Sequence, residues 1–210
     1  MTGVDRTGAR WTADGDEFRF RARRWSLDLC STLLWRHVGP VELLRRPEDL
    51  SRWLVAAQLC TEPVEVSQAQ LGEARSLREA LYRLFGQHLS GSPLDAADVA
   101  SMNAAATRAG RFPQLTVAGR VMWSARKPVP AALAAVASDG VDLLAGPLAE
   151  RIRECAAPDC AFLFVDTSRP GTRRWCAQDR CGNREHVRQH RARQPERHDR
   201  ARRIERSDPG

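Results

Sequence analysis

The 210-residue chain is 42% hydrophobic and 28% charged, which excludes a wholly disordered polymer and suits one medium domain with a small second module. Its formal charge of +7 sits at the C-terminal end: twelve arginines face five acids between Arg173 and Arg206, which points to a polyanion. No apolar run reaches the roughly 18 residues of a membrane span, and residues 1–17 hold no apolar signal core. The expected protein is soluble and cytoplasmic, with no membrane partner.

Residues 1–17, rich in Gly, Thr, Asp and Arg, read as a mobile leader. Phe18, Phe20, Trp25, Leu27 and Leu29 then alternate with polar residues, the pattern of a strand running into a helix. Leu50, Trp53, Leu54 and Ala57 share a face over 50–59, which predicts a short amphipathic helix. Cys30 and Cys60 stand alone in apolar surroundings and read as small core residues. The clearest helix starts at Ser67, where Gln70 three residues on completes a capping box. Leu71, Ala74, Leu77, Leu81, Leu84, Phe85 and His88 recur at helical spacing, with His88 read as a packed histidine, and Gly91 and Pro93 end the helix. A second helix is expected over Asp95 to Arg108, with Val99, Met102 and Ala106 inward. Ala118-Gly119 separates Leu115 and Val117 from Val121 and Trp123, a hairpin signal. Ala131 to Ala145 is a third helix, with Gly140 as its weak spot.

The remaining cysteines form two C-x4-C pairs, Cys155 with Cys160 and Cys176 with Cys181, separated by fifteen residues. Without a secretory signal, paired cysteines indicate metal more often than disulfides. Four thiolates around one ion make a closed tetrahedral site of the kind zinc prefers, and such zinc is structural. It would replace the core that so small a module cannot build. A competing set takes Cys155 and Cys160 with His186 and His190, which lie four apart; a disulfide pairing is the other alternative. Residues 161–165 read as a strand, Pro170-Gly171 as a turn, and Asn183 as the N-cap of a helix that Pro195 stops. On that helix Arg184, Arg188 and Arg191 fall within about 60° of one another, making a basic face suited to phosphates and base edges. Val187 lies beside this stripe and is expected to pack on the module.

The run from Phe162 to Arg193 resembles the CGNR zinc finger. Asp166 to Arg169 is similar to the family's D-T-S-R turn, Arg173 to Cys176 to its R-R-W-C segment, and Cys181 to Arg184 to the C-G-N-R tetrapeptide. The preceding Glu154 to Phe164 resembles the family's first cysteine pair. Such fingers usually follow an ABATE domain, whose D-x-x-x-T-like segment and R-x-L-R-x-A helix are similar to Leu27 to Thr32 and Arg75 to Phe85. One departure is the second pair, whose Ala-Gln-Asp-Arg spacer places a polar Asp179-Arg180 in the loop. The resemblance implies a bacterial, stress-linked transcription regulator that binds DNA through the finger.

The expected fold is therefore α+β: a mostly helical N-terminal domain with a small β-hairpin, then a four-Cys zinc finger of knuckle, hairpin and helix. The expected divisions are a leader at 1–17, an ABATE-like domain at 18–146, the finger at 147–194 and a basic tail at 195–210. One structural zinc is expected on Cys155, Cys160, Cys176 and Cys181. The candidate nucleic-acid contacts are Arg173, Arg174, Arg184, Arg188, Arg191 and Arg193, with a structural role open for Arg184, stacking on Trp175 or bonding the knuckle carbonyls. DNA is the expected partner, a homo-oligomer is open, and no effector is legible. With no nucleotide-binding, zincin or nucleophile-elbow motif, no enzyme is expected. The other reading is a zinc-stapled interaction module whose arginines bind an acidic partner.

Overall fold

A computed structural model describes the chain except residues 1–2, 5–8, 12–16, 109, 111, 125–126 and 192–210. For 3–4, 9–11, 17, 112–114 and 121–124 only the backbone is described. Arg193 and the basic tail lie outside the described residues. The chain divides into two units, Met1–Cys176 and Ala177–Gly210.

In the first unit, β1 (Gly3–Val4), β2 (Ala9–Trp11) and β3 (Glu17–Arg19) form an antiparallel sheet in that order. Two of these strands fall in the segment read as a leader. The expected passage from strand to helix is present: β3 carries the fully buried Phe18, and α1 (Trp25–Cys30) follows. From Ser26 to Cys30 every residue of α1 is buried. A short antiparallel hairpin, β4 (Leu33–Leu34) and β5 (Val41–Glu42), leads to α2 (Pro47–Ala56). This helix begins three residues before the expected Leu50, because Pro47 occupies its first turn, where the missing N–H costs nothing. The buried Asp49 carboxylate accepts from the Arg45 and Arg46 amides (2.8 and 2.7 Å), closing that turn.

The capping box at Ser67 is formed. In α3 (Gln68–Ser90) Ser67 Oγ accepts from the Gln70 amide at 3.2 Å, and the Ser67 amide donates to Gln70 Oε1 at 2.8 Å. Gly91 ends the helix at φ 67°, a left-handed conformation that glycine adopts without a Cβ clash. Leu71, Leu77, Leu81, Leu84 and Phe85 are all buried, each contributing about 1.5–3 kcal/mol. His88 is a packed histidine, with Nε2 at 3.0 Å from the Ala149 carbonyl.

Next come α4 (Ala96–Ala106), capped by Asp95, and the antiparallel hairpin β6 (Phe112–Leu115) and β7 (Val121–Ser124), with Gly119 at φ 70° in its turn. The last helix of the first unit, α5 (Pro128–Ala145), packs against α1, α3 and α4. Among the described helices it alone is long and apolar enough to cross a membrane, yet Val129, Leu133, Val136 and Leu143 are buried within the protein. Gly140 is a point of close approach: a Cβ there would lie 2.6 Å from Leu81 Cδ2 and 3.6 Å from Ser26 Cβ. Nearby, Arg24 and Ser26 both bond Asp139 and fix α1 to α5.

The two N-terminal segments that carried the ABATE resemblance meet in a buried ionic cluster. Arg78, only 3% exposed, donates to both oxygens of Glu42 (2.7 Å each), to Glu79 at 2.7 Å and to Thr32 Oγ1 at 3.2 Å. Arg36 clasps Glu79 from the other side. Cys30 lies beside this cluster; burial pushes its thiol up to about 12, against the pull of Arg36 and Arg78, and makes it an inert core residue, while Cys60 is half-buried.

Candidate metal centre and basic helix

A 3₁₀ turn at Ala149–Arg151 feeds β8 (Ile152–Glu154), which pairs antiparallel with β9 (Leu163–Val165). Ile152 and all of β9 are buried, with β9 against α1 and β8 against α3. The first cysteine pair is thus the loop of this hairpin. The Cys155 amide donates to the Phe162 carbonyl and the Cys160 amide to the Ala157 carbonyl, both at 2.9 Å.

The D-T-S-R turn is held from inside. Buried Asp166 accepts from the Ser168 and Arg173 amides at 2.9 and 2.8 Å. Burial opposes ionisation of this carboxyl, but these hydrogen bonds outweigh it and hold the group below the usual carboxylate range. Arg151 Nη1 donates to the Ser168 carbonyl at 3.1 Å, and a Cβ on Gly171 (φ 65°) would fall 2.7 Å from that nitrogen. The residue pattern gave no sign of Arg151; an arginine that bonds only carbonyls has no sequence signature.

Arg173 has the same kind of role. Its guanidinium lies 4.6 Å from the centroid of Phe164 and donates to the Trp175 and Cys176 carbonyls, so it fixes the chain entering the second cysteine pair. The knuckle is tied to the same segment by the Ala156 amide, which donates to the Arg174 carbonyl at 2.9 Å. Arg174 itself is exposed, 5.1 Å from the Trp175 centroid.

In the second unit, Ala177 is extended and the chain then coils into a wide π-helical turn, Gln178–Gly182. The amides of Cys181 and Gly182 both donate to the Ala177 carbonyl, at 3.0 and 3.1 Å. The turn runs directly into α6, residues 183–191. Asn183 is therefore already helical rather than an N-cap, and its side-chain Nδ2 donates back to the Asp179 carbonyl at 3.4 Å. The first helical cap is Ala177, six residues earlier, because the Asp179-Arg180 spacer coils instead of looping out. Gly182 leaves room for the Gln178 side-chain amide.

Cys155, Cys160, Cys176 and Cys181 are all buried, with sulfur atoms within 4.8 Å of one another. A tetrahedral ion with bonds of about 2.3 Å would place its sulfurs about 3.8 Å apart. Cys160 Sγ and Cys176 Sγ are separated by 3.9 Å. The Cys176 amide also points at Cys155 Sγ (3.4 Å), a donor suited to a thiolate. Soft donors at this spacing fit zinc. His186 and His190 are exposed on α6 and are not in the cluster, which decides against the two-Cys two-His set.

Of the candidate contacts on α6, Arg184 is half-buried and donates to Cys181 Sγ at 3.7 Å. Arg188 is exposed and pairs with Glu185 at 3.0 Å on its own helix; Arg191 is exposed. Val187 is 50% exposed rather than packed on the module.

A family model described as "Putative stress-induced transcription regulator", ABATE, matches residues 23–147. The chain belongs to the ABATE family. In this ABATE protein residues 151–194 match the CGNR zinc finger, and the four buried cysteines of that finger hold one structural zinc. Among curated proteins none matches the chain.

Proposed function

We propose that this ABATE protein is a cytoplasmic, DNA-binding transcription regulator. In this reading the zinc-anchored α6 meets the duplex, and the N-terminal domain supplies stress responsiveness. The observation that carries the reading is the basic stripe of α6, whose outer members Arg188 and Arg191 are exposed on a helix anchored at Cys181. Exposed guanidiniums at fixed helical spacing suit phosphate oxygens, and an arginine can also take guanine bidentately. Exposed Arg174 adds to this surface, whereas Arg173 serves the finger's own fold. No catalytic residue is assigned: four thiolates fill the four positions of tetrahedral zinc and leave none for a reactive water.

The test is anisotropy of a labelled duplex across a salt series. Log K should fall with log salt at about −0.9 per phosphate engaged, with about four to six phosphates expected from the net charge of the arginine-rich end. Arg188→Ala and Arg191→Ala should each lower the slope by about one if they contact phosphates. A protein that binds no duplex at low salt overturns the reading.

Exposed Val187, flanked by the Glu185–Arg188 pair, favours a second reading, an acidic protein partner that also covers an apolar spot. Only a duplex should show affinity rising with length through overlapping sites.

A further inference from the structure

The arginine of the C-G-N-R tetrapeptide points back at the metal centre. Arg184 lies one helical turn after Cys181, and its Nη2 is 3.7 Å from Cys181 Sγ, within hydrogen-bonding reach of sulfur. The guanidinium is half-buried, while the two arginines further along the stripe are exposed. We infer that Arg184 is a positioning residue of the zinc centre, donating to the Cys181 thiolate and shielding that sulfur from electrophiles, rather than a nucleic-acid contact.

The electrostatics favour this. Four thiolates around a divalent zinc carry two excess negative charges, and all four cysteines are at most 6% exposed. Buried charge needs a compensating donor close by, and a guanidinium brings both a proton and a full positive charge. A donor to a metal-bound sulfur withdraws electron density from it, leaving a poorer nucleophile. The wide turn at Gln178–Gly182 runs without a break into α6, so Cys181 and Arg184 belong to one helical segment and their spacing is set by the backbone. Lysine at this position would keep the charge but not the planar fork, so charge and geometry separate experimentally.

The experiment uses the full zinc-loaded chain with excess iodoacetamide and a chromophoric zinc chelator. Each alkylation forms an S–C bond, expels iodide and breaks a zinc–sulfur bond; released zinc is read by the chelator. Arg184→Ala should release zinc roughly tenfold faster than the parent protein, the factor that corresponds to losing a charge-assisted hydrogen bond. Arg184→Lys should fall between them, and Arg191→Ala should match the parent. If Arg184→Ala holds no zinc, Arg184→Lys and Arg184→Gln carry the test, with Lys slower to release than Gln. Parent-like release from both of these, or from Arg184→Ala, overturns the inference. So does a duplex salt slope that drops by one in an Arg184 variant whose zinc release is unchanged.

Discussion

Arginine does different work in the N-terminal helices and in α6. Arg78 is 3% exposed and meets Glu42 from β5 and Glu79 beside it, so its charge is consumed in joining elements. Arg24 does the same between α1 and α5 through Asp139. On α6 Arg188 pairs with Glu185, three residues back on the same helix, and that pairing is worth at most a few tenths of a kcal/mol. Composition alone treats these arginines alike. The difference is whether the carboxylate comes from another element and is removed from water.

The largest effect should come from the metal. Any one Cys→Ser change among Cys155, Cys160, Cys176 and Cys181 should reduce zinc to below half an equivalent in freshly purified, reduced protein, by elemental analysis. Zinc binding in small fingers is worth about 10–16 kcal/mol, far above any arginine contact discussed here. Helical circular dichroism from α1–α5 should largely persist, since that core is built of Leu, Phe, Val and Trp.

Arg78→Met sharpens the comparison next. It leaves Glu42 partly buried without its main partner and Glu79 with Arg36 alone, and should cost about 3–5 kcal/mol in urea unfolding, with zinc content unchanged. Arg191→Ala on α6 should stay within about 0.5 kcal/mol. Equal costs would break the contrast between the two regions. Apolar packing gives a smaller reference value: Gly140→Val places methyls against the fully buried Leu81 and should cost about 1–3 kcal/mol.

How far the sequence carried depends on what each residue signals. Ser67, Gly91 and Asp95 mark helix ends by local hydrogen bonding, so α3 and α4 were legible almost to the residue. Pro47 and Pro128 lie in first turns, and an expectation built from apolar stripes alone started both helices three residues late. The metal ligands were legible because four thiols at matched spacing have few other uses. The strand β8 was not, since Ile152–Glu154 carries no alternation and is fixed by pairing with β9. Nor was the division among the finger's arginines. Arg173 and Arg174 are neighbours in sequence, yet one bonds the Trp175 and Cys176 carbonyls while the other is exposed.

Arg83 is the intermediate case, and it tests the contrast by pH. It joins α3 to α4 through two bonds to Asp98, Nε to Oδ2 at 2.8 Å and Nη2 to Oδ1 at 2.6 Å, but its side chain is 55% exposed. The hydrogen bond from Arg83 is the main reason the Asp98 carboxyl is held below its ordinary value; burial acts against it. A carboxyl depressed in the folded state contributes stability above its unfolded value of about 3.9, and that contribution is lost as pH falls through the lower folded value. Solvent screening at the exposed guanidinium limits the pair to about 1 kcal/mol or less. Arg83→Met should therefore lower Tm by a few degrees at pH 7, and the gap should start to shrink below the unfolded value of about 3.9 and close as pH falls through the depressed folded value and Asp98 protonates. A gap that stays the same size in acid would mean that Arg83 acts by packing its methylene stem, and that pairing across elements is not what separates these arginines from those of α6.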